Sequence, residues 1–206
     1  LSFVSQTGSA PERWGIGLTV LLEKIAGLAL VNKLRAILLM EADFQFLNRL
    51  IFANRAMEMA RAHGLIPDEQ YAERQSDGQD GAWLKRLFAD VSRQARAAFG
   101  IISADAGNCY DRIAHAFASL VFQAYGVSIT MVMAMLLTIQ KMKFFLRTGF
   151  GESTIFMTAA LGAIIHGLCQ GNTAAPAGWS LISSVLLAAY KRMGHGAVVE
   201  TPISRK

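Results

Sequence analysis

Apolar residues recur at helical spacing from Ile37 to His63, which predicts a long first helix. Positions three and four apart share one face of a helix, so an apolar stripe at this spacing is expected to face a core. The stripe consists of Phe46, Leu50, Ala53, Met57 and Ala60. Gly64 follows and is typical of the residue that ends a helix. Residues 1–14 contain Ser, Gly and Pro and are expected to be irregular.

Further helices are predicted after the polar loop of residues 68–81. One would place Leu84, Leu87, Phe88, Val91 and Ala95 inward and Lys85, Arg86, Arg93 and Arg96 outward. Another would be capped by Asp111 and end at Gly126. Two more are expected from Ser128 to about Phe145 and from Trp179 to Met193.

Shorter segments read as strands. Phe99 to Ala104 is predicted to be a strand that presents Asp105 at its end, and residues 147–156 are predicted to form a hairpin around Gly149-Phe150-Gly151. Lys33 and Arg35 are two apart, so on a strand they would share a face. Helices followed by a strand and a hairpin favour an α+β fold with a small antiparallel sheet covered by helices on one face.

Composition narrows the function classes. The 206 residues suffice for one domain or two lobes, and the net charge of +5 suits a polyanionic partner without requiring one. Two cysteines cannot build a disulfide framework, and the N-terminal sequence lacks a signal-peptide pattern, so an intracellular protein, nuclear or cytoplasmic, is expected. Mean hydropathy is +0.34, but the longest apolar runs are shorter than the roughly 20 residues that span a bilayer.

Two segments stand out for chemistry. ISADAGNCYDRI carries Asp105 with the aromatic Tyr110 five residues later, and GLCQGNTAAPAGW carries Gln170 and Gly171 before Pro176. Together they resemble the first and second palm motifs of reverse transcriptases. Three further segments, KLRAILL, GLIPDEQYAERQ and RTGFGES, are similar to the fingers strand, the segment after the first fingers helix and the hairpin between the palm motifs. The amino-acid sequence of these segments is most similar to that of divergent non-LTR-like retroelement enzymes of algae and diatoms.

This resemblance implies a polymerase fragment, with residues 1–98 as a fingers-like region preceded by an irregular segment and residues 99–206 as a partial palm. The implied reaction is RNA-templated DNA synthesis, in which two Mg²⁺ ions assist the attack of a primer 3′-hydroxyl on a deoxynucleotide. The implied partners are an RNA template, a DNA primer and dNTPs, with no membrane; the oligomeric state stays open.

The resemblance also assigns roles to individual residues. Asp105 would be the catalytic carboxylate and a metal ligand, with help from the Ala106 carbonyl. The nucleotide-binding residues would be Arg35 and Lys33 at the triphosphate, Tyr110 and Gln170 near the sugar, Gly171 in the supporting turn, and Arg74 as a further contact to phosphate.

The chain also departs from the family pattern. Ala36 stands where the family commonly has proline, and the third palm motif with its paired aspartates does not occur, since no Asp follows Asp111. We therefore expect a fragment that is inactive by itself. The alternative is a non-catalytic retroelement relic or nucleic-acid-binding scaffold, and a membrane-associated helical protein is a third possibility.

Overall fold

The computed structural model describes residues 2–28, 30–72, 77–160 and 163–196. The chain divides into two compact units. Unit 1 comprises Leu1–Leu65 and Asn108–Ile182, and unit 2 comprises Ile66–Gly107 and Ser183–Lys206. These divisions do not coincide with the expected boundary between residues 98 and 99, and the assignment of fingers and palm stays a prediction.

A four-stranded sheet lies in unit 1, in the order β2-β1-β3-β4. Its strands are β1 (Ile16–Glu23), β2 (Leu34–Met40), β3 (Lys143–Thr148) and β4 (Gly151–Glu152). β1 pairs antiparallel with β2 and parallel with β3, and β3 pairs antiparallel with β4. The α+β prediction is therefore confirmed. The sheet is mixed and not purely antiparallel, because β3, which is distant in sequence, pairs parallel with β1.

The predicted hairpin between residues 147 and 156 is confirmed. Arg147 pairs with Glu152 and Thr148 with Gly151, which leaves Gly149 and Phe150 in the turn. The helix predicted to continue to about Phe145 is too long, because α6 (Ile129–Gln140) ends at Gln140 and β3 begins at Lys143. Pairing of β3 with the distant strand β1 overrides the local apolar pattern.

The predicted first helix begins too early, since Ile37 to Met40 belong to strand β2. The helical segment that follows consists of α2 (Ala42–Asn48), a π segment (Arg49–Ala56) and α3 (Met57–Ala62). Hydrogen bonds in the π segment run over five residues instead of four, so the four-three stripe loses its register. Met57 and Ala60, after the π segment, are buried as predicted, but Phe46, before it, is 57% exposed, and the unpredicted Phe44 and Phe52 are buried. Gly64, with φ of +61°, ends α3 as predicted.

Two helices of unit 1 pack around the same core. α5 (His115–Ala124) begins after Ala114, so Asp111 is not its N-cap; Asp111 lies in a 3₁₀ turn that precedes the helix. α5 ends before Gly126, as predicted, and α6 follows. The ring of Phe122 lies 4.9 Å from that of Phe52, and Val132, Met135 and Ile139 of α6 are fully buried.

The strand predicted from Phe99 to Ala104 is wrong: residues 97–106 form neither helix nor strand. Ile102 is 97% exposed, so the apolar run that suggested a buried strand does not pack into a core. The ring of Phe99 instead packs edge-on against Phe88 at 5.9 Å.

Unit 2 contains α4 (Gly78–Gln94) and the C-terminal part of α7 (Ala175–Arg192). Asp77 caps α4 through a reciprocal capping box with Asp80. The predicted inward face is wrong, because Leu84 and Leu87 are largely exposed. No apolar side chain of unit 2 is fully buried among the residues that the structure describes, so α4 has little to pack against.

Both ends of the described chain are more helical than expected. α1 (Ser2–Thr7) occupies part of the segment predicted to be irregular, and it buries Val4. α7 begins at Ala175, four residues before the predicted start, and ends before Gly194 as predicted. Within the described ranges, no helix combines the length and apolarity needed to cross a membrane.

Candidate functional site

Strand β2 and the turn at Gln170 dock against each other through the backbone. The Leu38 N–H donates to the Gln170 carbonyl at 2.7 Å. β2 is an edge strand, so this bond uses a donor that the sheet leaves unpaired. A Cβ on Gly171 would lie 2.3 Å from the Leu38 carbonyl oxygen, and the φ of Gly171 is +114°. Only glycine fits this position.

Gln45 of α2 binds the same turn from the other side. Its side-chain amide donates to the Gly171 carbonyl at 2.7 Å and accepts from the Thr173 N–H at 2.9 Å. The Thr173 hydroxyl donates to the Gln45 carbonyl at 2.7 Å. The turn is thereby fixed to α2 as well as to β2.

Beneath the turn lies a buried amide pair. The Asn48 side-chain N–H donates to Asn172 Oδ1 at 3.0 Å, and the same oxygen accepts from the Ala174 N–H at 3.0 Å. Both side chains are almost fully buried. Asn48 Oδ1 is the buried side-chain oxygen without a hydrogen-bond partner among the described residues. Leaving such an atom unpaired is costly, and this cost offsets part of the stabilisation from the two hydrogen bonds that fix the turn.

Backbone hydrogen bonds join the segment that contains Tyr110 to the residues just before this turn. The Leu168 N–H donates to the Tyr110 carbonyl and the Gly167 N–H to the Ile113 carbonyl, both at 2.7 Å. A Cβ on Gly167 would lie 2.5 Å from the Asp111 Cα, so glycine is required here too. The Tyr110 side chain is half-buried, and burial raises the pKa of its phenol.

His115 and Gln140 tie residues 165–167 to α5 and α6. The Gly167 carbonyl can only accept, so His115 Nε2 carries the proton and donates to it at 2.6 Å. His115 Nδ1 then accepts from Gln140 Nε2 at 2.6 Å. Gln140 also bonds the Ile165 carbonyl and N–H. Burial lowers the pKa of His115, which matches a neutral ring with both nitrogens used.

The two candidate phosphate ligands are exposed but not equivalent. Arg35 lies on β2 opposite Leu22, with its side chain exposed. Lys33 ends a short 3₁₀ turn before the strand, so the expectation that both share a strand face is wrong. Arg74, the third basic candidate, lies outside the described residues.

Asp105 and Ala106 lie in an exposed segment without secondary structure. Because the predicted strand is absent, nothing regular presents the Asp105 carboxylate as a strand end would. Both residues belong to unit 2, whereas Arg35, Tyr110 and Gln170 belong to unit 1. The contacts described above therefore concern the nucleotide-binding candidates alone, and convergence of Asp105 with Gln170 stays a prediction.

The side chains that the structure describes do not supply the ligands of a two-ion magnesium site. Such a site needs several oxygen ligands, preferably carboxylates. Among the described residues, no group of three or more His, Cys, Asp or Glu side chains could hold a metal ion. Burial raises the pKa of the Cys169 thiol to about 12, so this cysteine is not a thiolate at neutral pH.

The sequence analysis did not identify Gln45, Asn48 or Gln140, and it did not assign hydrogen-bond partners to His115. Gln45 and Asn48 are three apart, so they share one helix face within an apolar segment, which was a usable signal. His115 and Gln140 lie on separate helices, and nothing in their spacing indicates contact.

Compared with known proteins, the chain matches no protein-family model and no curated sequence.

Proposed function

We propose that this chain is the nucleotide-binding part of an RNA-directed DNA polymerase that acts on dNTPs, an RNA template and a DNA primer. The observation that carries the proposal is the docking of the Gln170–Gly171 turn on strand β2, which also carries Arg35. Arg35 and Leu38 are three residues apart on the strand, about 10 Å at the usual rise. A phosphate-binding cation and a candidate sugar contact therefore share one rigid support.

Each residue has a role that its surroundings permit. The exposed guanidinium of Arg35 can donate two parallel hydrogen bonds to phosphate oxygens, and Lys33, two residues earlier in the chain, is a second exposed cation. Gln170, held by its carbonyl at Leu38, is assigned to the sugar, and Tyr110 to discrimination at the 2′ position. The net charge of +5 favours binding of the nucleic acid.

The acidic side chains that the structure describes do not form a two-ion magnesium site. Asp105 is proposed as one catalytic carboxylate, and nucleotidyl transfer would require further acidic ligands. The described residues are therefore assigned to binding and positioning of the nucleotide.

Nucleotide binding can be measured directly by fluorescence anisotropy with a labelled dNTP and the 206-residue chain. Arg35→Ala should raise the Kd about tenfold, the usual effect of losing hydrogen bonds to a charged group. Arg49→Ala, at another exposed arginine of unit 1, should leave the Kd within twofold of wild type. Equal effects of the two substitutions would contradict the role of Arg35.

A second candidate, a nucleic-acid-binding scaffold without catalysis, is favoured by the lack of a metal-binding group among the described residues. Binding of a labelled dNTP in the presence of an RNA–DNA hybrid separates the candidates. The polymerase part should bind the dNTP, about tenfold more weakly in Arg35→Ala. A scaffold should bind the hybrid equally well with and without the substitution and bind no dNTP.

A further inference from the structure

A cavity of about 700 Å³ opens between the N-terminal loop and helix α6, within unit 1. Its lining comes from residues 8–13, from the start of β1, from α6 and from the start of β3. Its volume falls in the range of small-molecule sites. None of its lining residues belongs to the proposed nucleotide site, so the cavity needs a separate explanation.

The loop that forms one wall is fixed at both ends. At one end, a Cβ on Gly8 would lie 3.1 Å from the Thr130 carbonyl oxygen, and the Thr130 hydroxyl donates to the Ser5 carbonyl. At the other end, the buried Trp14 donates its indole N–H to Asp43 at 2.7 Å. A wall held in this way is formed before a ligand arrives, which lowers the entropic cost of binding.

The cavity has an aliphatic floor. The apolar side chains that line it are Ala10, Pro11, Ile16, Ala134 and Leu137, and all are aliphatic. Proteins bind nucleobases largely by stacking them on aromatic rings or arginine. The lining arginine, Arg13, is engaged by Asp43 and Glu41. This surface therefore suits an alkyl chain better than a base.

Two lysines give one side of the cavity a positive charge. Lys141 follows the end of α6, Lys143 begins β3, and both are exposed. The Lys143 ammonium lies 5.2 Å from the centre of the Phe156 ring. In the described part of the chain, neither lysine is paired with a carboxylate, and Glu12 is the acid among the lining residues. The charge balance therefore favours an anionic group at the lysines.

We propose that this cavity binds a single-chain alkyl anion, with its acidic head group at Lys141 and Lys143 and its chain along the aliphatic floor. The head group can be a carboxylate, as in a fatty acid, or a phosphate, as in an alkyl phosphate. This binding goes beyond the proposed polymerase function and does not depend on it, since the two sites share no residue.

Isothermal titration of the 206-residue chain with three C12 ligands tests the proposal, with the two anions below their micellar concentrations and the alcohol below its solubility limit. Dodecanoate and dodecyl phosphate should bind at one site per chain, and neutral dodecanol should bind at least tenfold more weakly because it lacks the charge. The stronger of the two anions shows whether a carboxylate or a phosphate head group fits the site better. Equal binding of dodecanol and both anions, or no binding by any of the three, would overturn the proposal.

Variants locate the binding site. The double substitution Lys141→Gln/Lys143→Gln should weaken anion binding about tenfold, and Leu137→Glu should abolish it by placing a carboxylate beside the chain path. The matched controls, Lys24→Gln/Lys85→Gln and Leu120→Glu, alter exposed residues elsewhere and should bind as wild type does. Circular dichroism checks that each variant is folded. Unchanged affinity in the folded Lys141→Gln/Lys143→Gln protein would also overturn the proposal.

Discussion

At the scale of single residues, two glycines allow the backbone contacts on which the candidate nucleotide site depends. Gly171 approaches Leu38 and Gly167 approaches Asp111, each too closely for a Cβ. The intervening Cys169 also has a positive φ, at +65°. Strain of this kind persists only where surrounding contacts fix the backbone, here the bonds from Leu38 and Gln45.

Gly171→Ala should therefore lower the free energy of unfolding by about 2–4 kcal/mol, because the methyl group forces β2 and the turn apart. The control is Gly27→Ala, since Gly27 also has a positive φ but nothing within 4 Å of its Cβ position. It should lower the free energy of unfolding by only about 1 kcal/mol, because a side chain disfavours the left-handed backbone conformation. Urea denaturation measures both values, and similar values would show that the close approach to Leu38 is unimportant.

His115 makes stability depend on pH. Its pKa is lowered in the folded state, chiefly by burial, so the unfolded chain binds the proton more readily. The stabilisation is therefore complete above the unfolded pKa of about 6.5 and is lost as the pH falls through the lower folded value. The protonated ring would also point a second N–H at the Gln140 amide.

Thermal melts of wild type between pH 8 and pH 5 should thus show a falling Tm, and His115→Gln should flatten that part of the profile. His63→Gln, at an exposed histidine of the same unit, should keep the wild-type slope. A His115→Gln profile parallel to wild type would show that another group controls the pH response.

At the scale of elements, the π segment decides which side chains of the first helical region are buried. The apolar pattern assigned Phe46 to the core, but the structure buries Phe44 and Phe52 instead. Residues before and after the π segment keep helical geometry, so the change of face arises from the altered hydrogen-bond step within it.

Alanine substitutions distinguish the two faces. Phe52→Ala should reduce the free energy of unfolding by about 3–5 kcal/mol, since its ring is 1% exposed and packs on Phe122. Phe46→Ala should cost less than about 1 kcal/mol because its ring is mostly in solvent. The reverse order in chemical denaturation would mean that the uninterrupted four-three stripe is correct.

At the scale of the whole molecule, the positive net charge predicts how salt affects binding of the proposed nucleic-acid partner. With a net charge of +5, binding of an RNA–DNA hybrid should release counterions, and its affinity should fall by at least about tenfold between 50 and 200 mM salt. Anisotropy of a labelled hybrid at several salt concentrations measures the slope. An affinity independent of salt would argue against a nucleic-acid partner bound through its phosphates.

The sequence by itself determined the features that depend on neighbouring residues. Gly64, Gly126 and Gly194 end helices as predicted, Gly149 and Phe150 form the turn of the hairpin, and the α+β class follows from these elements. Each of these is a local conformational preference, so the signal and its effect lie within a few residues of each other.

Only the tertiary structure decided the features that join distant segments. These include the parallel pairing of β1 with β3, the seating of the Gln170 turn on β2 and the amide pair of Asn48 with Asn172. The run from Phe99 to Ala104 shows the converse, because a strand-like pattern does not become a strand unless a second segment pairs with it. Backbone pairing needs a second segment, and its identity is fixed by packing of the whole unit and not by local spacing.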